Sequence, residues 1–226
     1  MRQAQGITSS SLRTPKAAAA AGIIFSILIG IIFWLFRMSI PADPMESGAW
    51  LATESGTVAL ALNLVPFAGV AFLWFVGVLR DRLGQMEDRF FATVFLGSAI
   101  LFLAMLFTAS AVVGAVILVF ASKPAAMIDS AIFHVARALA YNLVNVYLIK
   151  MAAVFMFSMS MVGFHTGLAP RWICYLGFAL ALLLLVGSYY VGWSVLLFPA
   201  WALLISIYIL FDNFVGLDSR PHRVDT

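Results

Sequence analysis

The sequence predicts an all-α polytopic membrane protein, a compact bundle of six transmembrane helices with both termini cytoplasmic. Three observations carry this. Of 226 residues, 64% are apolar and only 10% are charged. The mean hydropathy is +1.05. The apolar residues are gathered into six long runs, of 17 to 31 residues where a spanning helix needs about 20; the longest, the third, should tilt or protrude. Soluble domains stand near half apolar and a quarter charged. The composition therefore excludes a soluble globular domain, a disordered chain and a nucleic-acid binder. A single cysteine, Cys174, excludes a disulfide scaffold and a multi-cysteine metal site.

The runs are Ala17–Phe36, Thr57–Leu79, Phe90–Phe120, roughly Arg137–Phe164, Trp172–Val191 and Val195–Phe211. Barrel strands would alternate over segments of about ten residues; these runs are continuously apolar. Residues 1–16 read as a cytoplasmic tail, 17–211 as the transmembrane domain and 212–226 as a second cytoplasmic tail. The first run follows Arg2, Arg13 and Lys16, which would also suit a signal peptide. It exceeds the usual apolar length of such peptides and meets Arg37 at once, so it reads as an uncleaved span.

Counting Lys and Arg sets the orientation. With the N-terminus inside, the inner segments hold nine, Arg2, Arg13, Lys16, Arg80, Arg82, Arg89, Arg171, Arg220 and Arg223, and the outer segments two, Arg37 and Lys123. Asp43, Glu46 and Glu54 sit in or beside the first outer loop. Trp34, Trp50 and Trp193 mark the outer interface, and Trp74 and Trp172 the inner one. Short turns at Gly192–Ser194 and Gly167–Arg171 force antiparallel neighbours. In the third run Gly97, Ala104, Thr108, Ala111 and Ala115 share one helical face, which predicts close helix packing or, failing that, a dimer seam. Pro66 in the second run removes a backbone donor, as at kinks that line transporter cavities.

The fourth run carries the residues least at home in lipid. At about 100° per residue, Ser130, His134, Arg137, Tyr141 and Asn145 fall within an arc of about 80°, forming one polar stripe. Lys150 falls on the far side, which requires a different neighbour or a break in the helix. A cation at the centre of a span costs about 2.5–3.5 kcal/mol. Roughly fifteen apolar residues return about 4–9 kcal/mol, so the span needs partner helices and its stripe should face the bundle. No acidic residue lies mid-span. Glu54 and Asp129 are within plausible reach of Arg137, and Asp212 is too shallow for Lys150. Lys150 either snorkels, bonds backbone carbonyls and Asn63, joins Arg137 in holding an anionic group, or serves a proton-coupled role. Met151, Met156, Met159 and Met161 read as soft core filling.

Familiar catalytic chemistry is missing from the pattern. His134, His165 and His222 make neither an HExxH zinc motif nor a histidine-rich iron cluster. There is no GxSxG elbow. No metal and no cofactor is expected.

Two resemblances follow from particular segments. Gly77-Val-Leu79-Arg-Asp81-Arg82-Leu-Gly84, in the inner loop after the second span, resembles the G-x-L-x-D-R-x-G signature of major facilitator transporters. That resemblance implies a half-size transporter acting as a homodimer, with Asp81 and Arg82 at the inner gate. Gln85 and Met86 stand where that family has basic residues. The wider pattern, Phe72 to Gly84, Glu87 to Gly97 and Gly167 to Trp172, resembles uncharacterised bacterial six-helix integral membrane proteins. It implies a fold and a bacterial inner membrane, and no activity.

The reading that results is a non-enzymatic inner-membrane protein. It binds a lipid or small amphipathic anion near the fourth span, or serves as an accessory subunit. Arg137 and Lys150 supply charge; His134, Tyr141, Asn142, Asn145 and Asn63 orient the ligand. The alternatives are the half-size transporter and a membrane enzyme of unknown type. Membrane lipids, a second copy or a foreign subunit are the expected partners, and nucleic acid is not.

Overall fold

A computed structural model describes residues 14–83, 89–128, 130–167, 169–187 and 193–218. Among these residues every regular element is helical and there is no strand. Six long helices follow one another: α1 (Thr14–Ser39), α2 (Leu51–Leu83), α3 (Arg89–Ser122), α4, α5 and α6 (Leu197–Asp218). Helix α4 is continuous but composite: an α-helical part Ala131–Asn142, a π-helical turn Leu143–Leu148, and an α-helical part Ile149–Thr166. Helix α5 is α-helical over Arg171–Leu182 and π-helical over Leu183–Gly187. A one-turn helix, Pro124–Met127, and two 3₁₀ turns, Gly48–Trp50 and Ser194–Leu196, complete the chain.

Five of these helices are long and apolar enough to cross a membrane. The exception is α5, whose apolar stretch Arg171–Gly187 is shorter. The sequence expectation for it, Trp172–Val191, ends outside the described residues. Helix ends follow local chemistry. Ser130 caps α4 by accepting the Phe133 N–H at 3.1 Å. Gly167 ends α4 in the left-handed conformation, with φ at 70°, which only glycine adopts freely.

Apolar helices in lipid gain little by leaving it, so they associate through close packing. Here one or two phenylalanines from each of five helices meet at the centre. Phe25 of α1 lies 4.6 Å from Phe72 of α2 by ring centroids. Phe72 lies 5.2 Å from Phe102 of α3 and 5.3 Å from Phe155 of α4. Phe198 of α6 lies 5.0 Å from Phe102, and Phe95 of α3 stacks on Phe155 at 4.9 Å. All six rings are buried. Helix α5 sends no ring into this junction; it packs mainly against α4 and leaves Tyr175, Leu182 and Val186 exposed. Gly22 lets α1 approach its neighbours. A Cβ there would overlap Ser206 Oγ of α6 and stand 2.7 Å from the Phe75 ring of α2.

The structure corrects the expected use of α3. Ala104, Thr108, Ala111 and Ala115, predicted to pack against a helix, are exposed. The buried face is instead Phe95, Ala99, Phe102, Leu106, Ala109 and Val116. Bulk won over smallness here, because the aromatic junction needs rings from α3. Pro66 leaves α2 unbroken from Leu51 to Leu83 and is itself exposed.

The π turn keeps the buried face of α4 in register. One row of buried positions along α4 runs Phe133, Arg137, Ala140, Leu143, Leu148, Ala152, Met156 and Met159, with Ile149, Ala153 and Phe155 buried beside it. The steps are three or four residues except between Leu143 and Leu148, where the step is five. An i→i+5 turn accommodates one additional residue. It therefore keeps Leu148 and Met156 on the core face that Phe133 and Arg137 began.

Candidate functional site

A cavity of about 380 Å³ opens at the end of the bundle where α1 leaves and α4 enters. That volume lies at the low end of small-ligand pockets. Its wall is mainly apolar: Phe33 and Phe36 of α1, Leu106, Val113 and Val116 of α3, and Phe133, Ala140 and Val144 of α4. The loop residues Ile40, Pro41, Ala42 and Trp50 close one side, and Val195 another. Six polar side chains interrupt this wall: Arg37, Ser110, Arg137, Tyr141, Asn142 and Asn145. Among the described residues no carboxylate lines it.

Arg137 is the centre of the site. Only 8% of it is exposed. Its Nη2 donates to two loop carbonyls, Pro41 O at 2.6 Å and Asp43 O at 2.8 Å. Its guanidinium carbon stands 5.7 Å from the Trp50 ring, within cation–π range. The carboxylates of Asp43 and Glu46, in the same loop, act on it only through space. Its Nε and Nη1 are buried and have no acceptor, and the same holds for the indole Nε1 of Trp50. Three buried donor nitrogens on two wall residues thus lack partners. Buried donors are rarely left so, since each forfeits a hydrogen bond it had in water.

A second arginine lines the same cavity. Arg37 lines the cavity from the end of α1 and lies 5.3 Å from the Trp193 ring. Trp193 in turn packs against Trp34 at 5.9 Å. Asn142 and Asn145 each spend one side-chain N–H within their own helix, on Ala138 O at 3.0 Å and Tyr141 O at 3.1 Å. Such back-bonding competes with the helical ladder, and here it brackets the start of the π turn. Each amide keeps an oxygen and a second N–H. Ser110 Oγ is satisfied by Leu106 O at 2.8 Å.

The structure brings together part of the predicted set. Arg137, Tyr141, Asn142 and Asn145 share the cavity wall. His134 does not reach it; its ring meets Phe133 edge-on at 5.4 Å, and its Nδ1 is buried without a partner. Lys150 is exposed, and no cavity residue lies beside it in sequence beyond Val146. Asn63 is exposed on α2 and bonds Ala59 O of its own helix at 2.9 Å, so it serves neither the cavity nor Lys150. The expected Arg137–Glu54 pair does not form, because Glu54 accepts from Ser39 Oγ at 3.1 Å. Asp129 lies outside the described residues. Asp81 and Arg82, in the last turn of α2, and Asp212 lie outside the residues whose side chains the structure describes.

Sequence reasoning missed Arg37, Trp50 and the loop carbonyls. A signal existed for the first two: both flank the loop of about a dozen residues between α1 and α2, which carries Asp43 and Glu46. The carbonyls had none, since any loop offers them. Comparison with protein-family models, curated proteins and solved structures gives no match at any of the three levels.

Proposed function

We propose that the protein binds one small amphipathic anion in this cavity, a carboxylate- or phosphate-bearing lipid or lipid-like molecule. The observation that supports this is the trio of unpartnered donors, Arg137 Nε, Arg137 Nη1 and Trp50 Nε1, in a wall that is otherwise apolar. An anionic head supplies the acceptors they lack. Arg37, on the same wall, adds charge of the right sign. The tail lies against Phe33, Leu106, Val113 and Val116. The Asn142 and Asn145 amides suit a hydroxyl or ester beside the head.

In this reading the chain has six spans in a bacterial inner membrane, with α5 as the short sixth and both ends cytoplasmic. The nine-to-two bias of Lys and Arg supports that orientation. It places the cavity toward the outer leaflet. The protein is a non-enzymatic binder, alone or as an accessory subunit.

Equilibrium titration of the purified full-length protein with a fluorescent fatty acid and with the matching fatty alcohol tests the proposal. The acid should bind at least tenfold tighter. Arg137→Gln should remove most of that preference, since hydrogen bonds to charged groups are worth about 1.5–3 kcal/mol, or roughly 10- to 100-fold. Equal binding of acid and alcohol to the unaltered protein would sink it.

A further inference from the structure

The cavity leaves one intramembrane cation unused. Lys150 is exposed on α4. It stands 13 residues beyond Arg137, or about 20 Å along the helix, and 16 residues before Thr166, or about 24 Å. It therefore lies near the middle of the apolar stretch Ala131–His165. A four-carbon stem does not bring an ammonium from there to either interface. Among the described residues it has no ion pair.

Among the described residues nothing neutralises it, and the sequence has no carboxylate in the middle of an apolar run. Its ten acidic residues are Asp43, Glu46, Glu54, Asp81, Glu87, Asp88, Asp129, Asp212, Asp218 and Asp225. All belong to span ends, loops or tails, and Glu54, near the start of α2, already accepts from Ser39. A second copy of the chain thus brings no carboxylate to this depth, only a second lysine. A lipid phosphate stays at the surface, roughly 15 Å from the midplane of a bilayer core about 30 Å thick. Around Lys150 the exposed face of α4 carries Leu139, Tyr147 and Phe157. Leu139, Tyr147 and Phe157 would sit in lipid without cost; the charge of Lys150 would not, since an ionisable residue at membrane depth faces a partner rather than lipid.

We infer that this face of α4 docks a transmembrane helix of another protein, one that carries an Asp or Glu near the middle of its span to pair with Lys150. The inference rests on the membrane-spanning reading and is independent of the cavity ligand, so the two proposals fail separately.

The test reconstitutes the full-length protein in phosphatidylcholine vesicles with a synthetic Leu/Ala spanning helix bearing one central Asp. Association is followed by energy transfer between labels. The Asp helix should bind at least tenfold tighter than its Asp→Leu counterpart, and tighter than a helix with the Asp moved to its end. Lys150→Met should abolish the difference and Lys150→Arg should keep it. Equal binding of the three helices overturns the inference, whether or not the Lys150→Met variant folds. So does Lys150-dependent self-association, or a Lys150-dependent preference for phosphatidylglycerol vesicles without peptide.

Discussion

The centre of the bundle and its cavity end use the same apolar residue types and finish differently. At the centre, rings from five helices lie about 5 Å apart, and the hydroxyls of Ser26 and Ser206 are satisfied within their own helices, on Gly22 O and Ala202 O, both at 2.7 Å; Ser160 Oγ and Trp201 Nε1, also buried, lack partners but are packed and line no part of the cavity. At the cavity end, Phe33, Phe36, Leu106 and Val116 enclose space instead of filling it, and three donors lack acceptors. Apolar walls by themselves pack shut, as the centre shows. What distinguishes the other end is charge. Arg137 is tied back to the loop by one nitrogen, and two guanidiniums face a region with no carboxylate among the described residues. Space and unspent donors in the same place indicate a site that is completed by something else.

The largest expected effect breaks the centre. Phe72 touches rings on α1, α3, α4 and α6 at once. Phe72→Ala should cost about 3 kcal/mol, because a void in an interior loses dispersion contacts that lipid cannot restore. Denaturant titration in mixed micelles measures it. A loss below about 1 kcal/mol would mean that the junction is not what holds the helices together.

That junction was only half legible in the sequence. Six apolar runs announced helices, and the structure has six long helices in those places. Which faces met was not legible. The small residues of α3 suggested a packing seam, yet Phe95, Phe102 and Leu106 turned the helix the other way. A wheel at constant pitch put Asn145 beside Arg137 and Lys150 away from them, where the structure has them, but it gave no sign of the π turn that keeps Leu148 and Met156 on the core face. For the site, Arg137 was legible as a cation needing a partner. Its partners were not, because two are backbone carbonyls 94 and 96 residues away in sequence. Periodicity reports one helix at a time and carries no information about the loop that folds over it.

A smaller effect sharpens the contrast. Trp50→Phe keeps a ring beside the Arg137 guanidinium and removes only the unpartnered N–H. Folding stability should be unchanged or slightly improved, since a buried donor without an acceptor is gone. Affinity for an anionic amphiphile should fall by about 1 kcal/mol, near fivefold. Unchanged affinity together with raised stability would mean that the indole donor is merely unsatisfied and serves no ligand.

The smallest effect belongs to Asn63, an amide that the sequence made conspicuous and the structure makes idle. It is exposed on α2, its Nδ2 is spent on Ala59 O, and it lies off the cavity wall. Asn63→Leu should change unfolding free energy by less than about 0.5 kcal/mol, as surface substitutions away from special contacts do. Fatty-acid affinity should not move. This null result matters because Asn145→Leu offers the same chemical change inside the cavity, where an amide borders the proposed ligand. If the two variants bind alike, the polar part of the wall is decoration. If only Asn145→Leu weakens binding, position at the cavity, and not polarity at membrane depth, is what makes an amide of this chain functional.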